Sequence, residues 1–272
     1  QAKTLFPYTT LFRSPSHRKH QRGVALFVVI IFVMLSMLLA LWASRTSLFN
    51  ELVVGNDADY QRAFEAAQAL LQDAELDIRR ESPDGLTACT NPDPIKCRDT
   101  NPGAYKIPIK GEVTQLLDDL NQQPTKCKDG LCTKRAGRQD FWHTTSATVL
   151  AAGEVKLSDM TKPNVGARYG QYSGATVGDP SDPTQTANPI LADTSADDRG
   201  GWYWIEVMQY DESAKNSGLI VGGANTDNLL RLNLEPNVVY RITALAYGRK
   251  PGTMAVLQQT YVRQVHKGDH PS

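Results

Sequence analysis

Histidine is scarce in this chain and badly placed for catalysis. Of the five present, His17 and His20 lie near the start and His266 and His270 near the end, leaving His143 alone in the globular part. A lone histidine is more often structural or solvent-facing than a base. G-x-S-x-G, H-E-x-x-H and any glycine loop that would cradle phosphate are also missing, so no enzyme active site is expected. No D-x-D-x-D-G frame is present, although Asp179, Asp182, Asp193, Asp197 and Asp198 share one loop-like stretch. A solvated loop is the expectation there, with a calcium site as its alternative. The four cysteines, Cys89, Cys97, Cys127 and Cys132, are separated by 7, 29 and 4 residues, which fits C-x2-C zinc knuckles poorly. No basic stripe suits nucleic acid, and no internal repeat occurs. No metal and no cofactor are expected.

Proline is missing as well, from Arg22 as far as Pro83. Within that span lies the stretch that organises the chain. The cationic lead-in Arg18-Lys19-His20-Gln21-Arg22-Gly23 meets an apolar run of 20 residues, Val24 to Ala43, interrupted only by Ser36. At about 1.5 Å per residue the run covers roughly 30 Å, the thickness of a bilayer's hydrocarbon layer. A plain signal anchor is one reading of such a segment. Two features weigh against it: a glycine, instead of a small-x-small cleavage site, abuts the apolar run, and the helical pattern continues beyond the membrane exit. Leu48 and Leu52 lead into Tyr60, Phe64, Ala67, Leu71, Ala74 and Ile78, which step alternately by four and three, the spacing of a helix with one buried seam. A continuous or gently bent helix of more than 50 residues, roughly 80 Å long, is predicted.

Charge gives this segment an orientation. The first 23 residues hold five cations and no acid, leaving 24 cations against 29 acids in the remainder. A positive flank stays in the cytoplasm, so the rest is expected to face the periplasm.

Beyond the helix, Arg79-Arg80 and then Ser82-Pro83-Asp84-Gly85 mark its end. Loops are expected over 83–108, and a short helix over 112–121 with Val113, Leu116, Leu117 and Leu120 on one side. In an oxidising compartment four cysteines permit three pairings. Cys89 with Cys97 and Cys127 with Cys132 are preferred, because each pair is close in sequence and brackets turn residues. One or two strands are expected from Phe141 to Met160, at Ala147-Thr148-Val149-Leu150 and Glu154-Val155-Lys156-Leu157, followed by loops over 163–201. Trp202 to Tyr210, Val238 to Tyr247 and Met254 to Arg263 are rich in aromatic and β-branched residues and read as strands, the last two joined by Gly248-Arg249-Lys250-Pro251-Gly252. An antiparallel sheet of four to six strands, packed on the seam Tyr60, Phe64, Ala67, Leu71 and Ile78, follows.

The stretch QRGVALFVVIIFVMLSMLLALWASRTSLFNELVVGNDADYQRAFEAAQALLQDAE closely resembles the start of PilX-type minor pilins of the type IV pilus, with Arg45-Thr46, Glu51, Gly55-Asn56 and Ala63-Phe64-Glu65-Ala66-Ala67 in the places that family has them. YRITALAYGRKPGTMAVLQQTYVR is similar to the last hairpin of the same proteins. The resemblance implies an α+β, type IV pilin-like fold, with a long helix of transmembrane and amphipathic halves packed on an antiparallel sheet. It implies cleavage of a leader by a prepilin peptidase between Gly23 and Val24, and N-methylation of the Val24 amine. Leu26, Phe27, Val28, Ile31, Leu35, Leu38 and Leu39 would then pack in the fibre core. Most pilins carry glutamate at the fifth mature position, where this chain has Val28, and that departure suits a subunit at or near the tip. Implied partners are other minor pilins, the major pilin, a tip adhesin, the prepilin peptidase and the inner-membrane assembly platform, with roles in priming assembly, adhesion, twitching motility and DNA uptake. The chain would span the bacterial inner membrane once before assembly and stand in the surface pilus afterwards. A K-type tip pseudopilin of type II secretion, which shares the missing glutamate, and a membrane-anchored periplasmic enzyme or sensor are the alternatives.

The expected divisions are a leader at 15–23, a transmembrane or fibre-core helix at 24–43, an amphipathic helix at 44–80, and a globular domain at 81–272 that is loop-rich to 201 and holds its sheet core at 202–265. Residues 1–14 look like a translated sequencing adapter. With no methionine before Met34, the natural start codon is expected to be lost.

Overall fold

The computed structural model describes residues 24–90, 96–108, 112–144, 149–178, 187–209 and 238–263. It divides into two compact units, 1–54 and 55–272.

The described part of the first unit belongs to helix α1, Val24–Arg79. Leucine, methionine and alanine supply helix propensity, and no proline breaks the backbone ladder. Every residue from 24 to 54 is exposed. Two hydroxyls in or beside the apolar run turn inward: Ser36 Oγ donates to the Val33 carbonyl at 2.8 Å and Thr46 Oγ1 to the Trp42 carbonyl at 2.9 Å. That back-bonding suits lipid, where an unpaired polar group costs several kcal/mol, on the order of the transfer penalty.

In the second unit, α1 from residue 55 onward packs on a five-stranded sheet. Its buried residues are Asp59, Ala63, Ala66, Ala67, Leu70, Asp73, Ala74, Asp77 and Ile78. This widens the seam and removes Tyr60 from it. Ala67, Ala74 and Ile78 are buried, Phe64 and Leu71 are half-buried on the flank, and Tyr60 is 46% exposed. The stripe 59, 63, 66, 70, 73 and 77, one residue earlier with the same alternation of four and three, is buried beside it. Alanines let the helix approach the strands closely, and the larger side chains are displaced to the sides. The helix ends where Arg80 takes φ 63°, with Glu81 N–H donating to Leu76 O and Arg80 N–H to Asp77 O. These bonds satisfy terminal carbonyls, with arginine in the left-handed position where glycine is usual.

Helix α2, Val113–Asn121, adds Val113, Leu116 and Leu120 to the same core. Strands β1 (Cys127–Lys128) and β2 (Leu131–Cys132) form a tight hairpin. Asp129 and Gly130 at its tip have φ of 53° and 78°, the conformation a two-residue hairpin turn needs. Strands β3 (Gly201–Gln209), β4 (Val238–Tyr247) and β5 (Met254–Tyr261) complete the sheet in the order β1-β2-β3-β4-β5. All neighbours are antiparallel except β2 and β3, whose long connection permits a parallel pair.

The sheet is covered on both faces. Tyr203, Ile205, Val207, Tyr240 and Ile242 pack with α1, whereas Trp202, Trp204 and Leu245 form a second cluster with Phe141, Val155 and Met160. Strand structure expected at Glu154-Val155-Lys156-Leu157 is absent: Leu157 opens a short helix, α3, Leu157–Met160. Thr144 takes the bonds a strand partner would have taken. Its Oγ1 donates to Val155 O at 2.8 Å and its carbonyl accepts Leu157 N–H at 3.3 Å. Ala147 and Thr148 lie outside the described residues, while Val149 and Leu150 belong to no strand.

Gly201 lies where helix and sheet approach closely. A Cβ there would lie 2.5 Å from Leu70 Cδ1 and 3.1 Å from Leu191 Cδ2. Gly201→Ala is expected to overpack the core at a cost of about 1–3 kcal/mol. Thermal unfolding of the full chain in detergent reads this out, and an unchanged Tm would show that Leu70 yields freely.

Candidate assembly surface and the seat of the helix

Two features of α1 carry functional meaning: an apolar surface that nothing in its unit covers, and a polar face clamped to the head. Leu26, Phe27, Val28, Ile31, Leu35, Leu38 and Leu39 are all exposed, as is Val24, the first residue of the helix; Gly23 lies outside the described residues. Length and composition make α1 the one described helix able to cross a membrane.

The clamp consists of three aspartates. Asp59 accepts the backbone N–H groups of Arg249 at 3.0 Å and Lys250 at 2.9 Å, holding the β4–β5 turn against the helix. Burial works against its charge, but those two amides, with Thr253 and the Lys250 ammonium, hold the carboxyl below its ordinary pKa. Gly248 has no side chain for a reason: a Cβ would lie 2.4 Å from Asp59 Oδ2.

Asp73 accepts Gly170 N–H at 2.8 Å and the Ser173 hydroxyl. Burial pushes its pKa up to about 7, against those two hydrogen bonds, with Asp77 adding to the rise and Arg98 opposing it.

Asp77 and Arg98 form a fully buried, two-pronged pair, Nε to Oδ1 and Nη2 to Oδ2, both 2.6 Å. The Tyr203 hydroxyl donates to Asp77 Oδ2 at 3.0 Å, so helix, loop and β3 meet at one carboxylate. Arg98 also donates to Tyr105 O at 2.8 Å and Asp129 O at 2.9 Å, and its guanidinium lies 3.9 Å over the Tyr172 ring. Burial opposes the Arg98 charge, yet the Asp77 carboxylate outweighs it and raises the guanidinium pKa. The Tyr203 hydroxyl is pushed far up by burial and then by the adjoining Asp77.

Covalent bonds hold this loop in place. Cys89 is bonded to Cys97, immediately before Arg98, and Cys127 to Cys132 across the hairpin. Among the described residues no three His, Cys, Asp or Glu side chains cluster as a metal site would require. Asp193 is occupied by the Ser195 N–H and hydroxyl and by Arg199. Asp179 and Asp182 lie outside the described residues, and His143 is exposed at the end of a short 3-10 turn.

The aspartates are the residues that sequence reasoning missed. Asp59, Asp73 and Asp77 occupy three of the six places on the second buried stripe, and an acidic residue on a stripe argues for solvent unless its partner is known. The signal was available only as phase, in the run 59, 63, 66, 70, 73, 77.

A family model described as PilX N-terminal matches residues 22–72, covering the exposed apolar helix and the upper part of the clamp. A second, described as type IV pilus assembly protein PilX C-term, matches residues 128–263, half of the chain, from the hairpin through β5. The chain belongs to the PilX family. No curated protein and no solved structure matches it significantly. As a PilX-family chain it is a type IV pilus-associated minor pilin, a structural component that associates with other pilins and the assembly machinery. Its long helix and mostly antiparallel sheet are those of the pilin-like α+β fold, and its apolar helix suits membrane anchoring.

Proposed function

We propose that this minor pilin stands at or near the tip of a type IV pilus, where it primes assembly with other minor pilins and a tip adhesin and so supports adhesion and twitching motility. The observation that carries the reading is the bare apolar surface of α1, with Val28 in it. Such a surface suits lipid first and equivalent helices afterwards, since leucine, valine, isoleucine and phenylalanine interdigitate without polar partners. A buried carboxylate at Val28 would pair with the amine of a subunit already in the fibre; a subunit without one is suited to begin a fibre. In this reading residues 15–23 are a leader on the cytoplasmic side of the inner membrane, and a prepilin peptidase cuts between Gly23 and Val24. The role is in assembly and adhesion, not in catalysis by this chain.

N-terminal sequencing of the membrane form tests this reading. With an active prepilin peptidase the chain should begin at Val24 with a methylated amine. Gly23→Phe should reduce processing by at least tenfold and remove the chain from sheared surface filaments. Recovery of an intact leader, or filaments assembling normally in cells lacking the protein, would overturn the reading.

A further inference from the structure

On the outer face of the sheet a buried cation lies against a disulfide and has no counter-charge of its own. Arg135 is 6% exposed. Its Nη1 lies 3.8 Å from Cys127 Sγ, its Nη2 donates to Gln139 O at 3.2 Å, its guanidinium sits 5.1 Å over the Phe141 ring, and its Nε–H is unmatched. It forms no ion pair among the described residues. Burial lowers its pKa; Glu206 opposes that shift and Arg241 adds to it. Glu206 is already engaged, since Nε and Nη2 of Arg241 both converge on its Oε2. The lysines that flank Cys127 turn elsewhere: the Lys126 ammonium donates to Asn121 O, and that of Lys128 lies 4.5 Å over the Tyr105 ring.

A disulfide sulfur is neutral and a weak acceptor, whereas a thiolate at the same place would give Arg135 a full counter-charge, worth more because the site is buried. The bond itself is not what keeps that sulfur in position. Cys127 and Cys132 stand directly opposite each other across the β1–β2 pair. The hairpin tip is pinned separately: Asp129 N–H donates to Asn164 O at 2.8 Å, Gly130 N–H to Val165 O at 3.0 Å, and Gly130 O accepts Ile205 N–H at 2.7 Å. The second disulfide has opposite surroundings. Cys89 Sγ lies 3.2 Å from the Ser173 carbonyl oxygen, which would repel a thiolate.

We propose that Cys127–Cys132 is a redox-sensitive switch, opened by a dithiol reductant to a state in which Cys127 is a thiolate paired with Arg135. A thiolate of the reductant attacks Cys132 Sγ, the S–S bond breaks, and its electron pair leaves on Cys127 Sγ beside the guanidinium. The reductant's second sulfur, deprotonated, then displaces Cys132, which takes up a proton. The reductant ends as a disulfide, Cys132 as a thiol and Cys127 as a thiolate; two electrons have passed and one proton is released. Stabilising the reduced form makes the pair easier to reduce. Both cysteines are 2% exposed, so a reductant meets the bond only as the head opens locally, and the inference concerns where the equilibrium lies, not how fast it is reached. Once the bond is open, β1 is joined to the sheet edge by its hydrogen-bonded pairing with β2, and the edge loosens while the tip stays pinned. None of this depends on where in a pilus the chain stands.

Equilibrating the full chain in detergent with stepped ratios of reduced to oxidised dithiothreitol, then alkylating and quantifying both cysteine pairs by mass spectrometry, tests the proposal. The equilibrium constant for reducing Cys127–Cys132 should exceed that for Cys89–Cys97 at least tenfold, about 30 mV for a two-electron couple. Arg135→Met should cut the first constant at least fivefold and leave the second unmoved, and Arg135→Lys should restore part of the loss. In Cys132→Ser, the ultraviolet absorbance of a thiolate should be present at pH 7, where an ordinary cysteine is almost wholly a thiol. Equal constants for the two pairs, an unchanged constant in Arg135→Met, or no thiolate at pH 7 would overturn the proposal. The wild-type comparison decides it even if the variants fail to fold.

Discussion

Asp77→Ala will destabilise the head by about 3–5 kcal/mol, because it leaves the fully buried Arg98 cation without its counter-charge. Two backbone carbonyls would remain to Arg98, and the Tyr203 hydroxyl would lose its acceptor. For a unit of this size the loss corresponds to a fall in Tm of roughly 6–20 °C. Thermal unfolding of the full chain in detergent measures it, and a fall of less than 3 °C would show that the pair contributes little. The double variant Asp77→Leu with Arg98→Met separates the two accounts of a large effect. If the single change hurts by stranding a charge, removing both charges restores most of the lost stability. If the pair itself supplies the stability, the double variant stays as weak as the single one. We expect recovery.

Asp73→Asn will have the opposite sign. The Asp73 carboxyl ionises near 3.8 in the unfolded chain and at about 7 in the fold, chiefly because it is buried. Its protonated form is the one the native state favours. Its contribution is fully present below the unfolded value and is lost as pH rises through about 7, a penalty on the order of 4 kcal/mol at pH 8. Asparagine keeps the geometry, since its carbonyl can accept Gly170 N–H and its amide can donate to Ser173 Oγ, without the ionisation. At pH 8 the variant should exceed the parent by about 2–4 kcal/mol, with the difference closing towards pH 4. Urea unfolding between pH 4 and 8 gives the comparison; a parallel pair of stability curves would show that Asp73 ionises normally. Asp59 works in the other direction. Its lowered pKa contributes stability above about 4 that disappears on acidification, so the head should be most stable in mildly acidic solution.

Local chemistry made much of the fold legible. The proline-free run from Val24, the double arginine at its end and the alternating strand Val238–Tyr247 each declare themselves within a few neighbours. What was misread depends on partners far along the chain. Leu71 looked like core because it is large, yet Ala63, Ala66 and Asp73 face the sheet, since Tyr203, Ser173 and Arg98 arrive there from more than 20 residues away. Asp129-Gly130 is a strong local hairpin signal, and the preferred Cys127–Cys132 pairing brackets that turn. Glu154 to Leu157 alternates like a strand but lies over tryptophans on a sheet already paired through β3 and β4, so it serves as cover.

The spread of the three aspartates along α1 has a mechanical consequence. Asp59 and Asp77 are 18 residues apart, about 27 Å of helix, and each grips a different stretch of chain: the β4–β5 turn, the 170–173 turn and the Arg98 loop. Tension drawn along the helix axis loads all three grips, since they are spaced along one helix. Such a head stays on its rod under a pull that would strip one fastened at a single point.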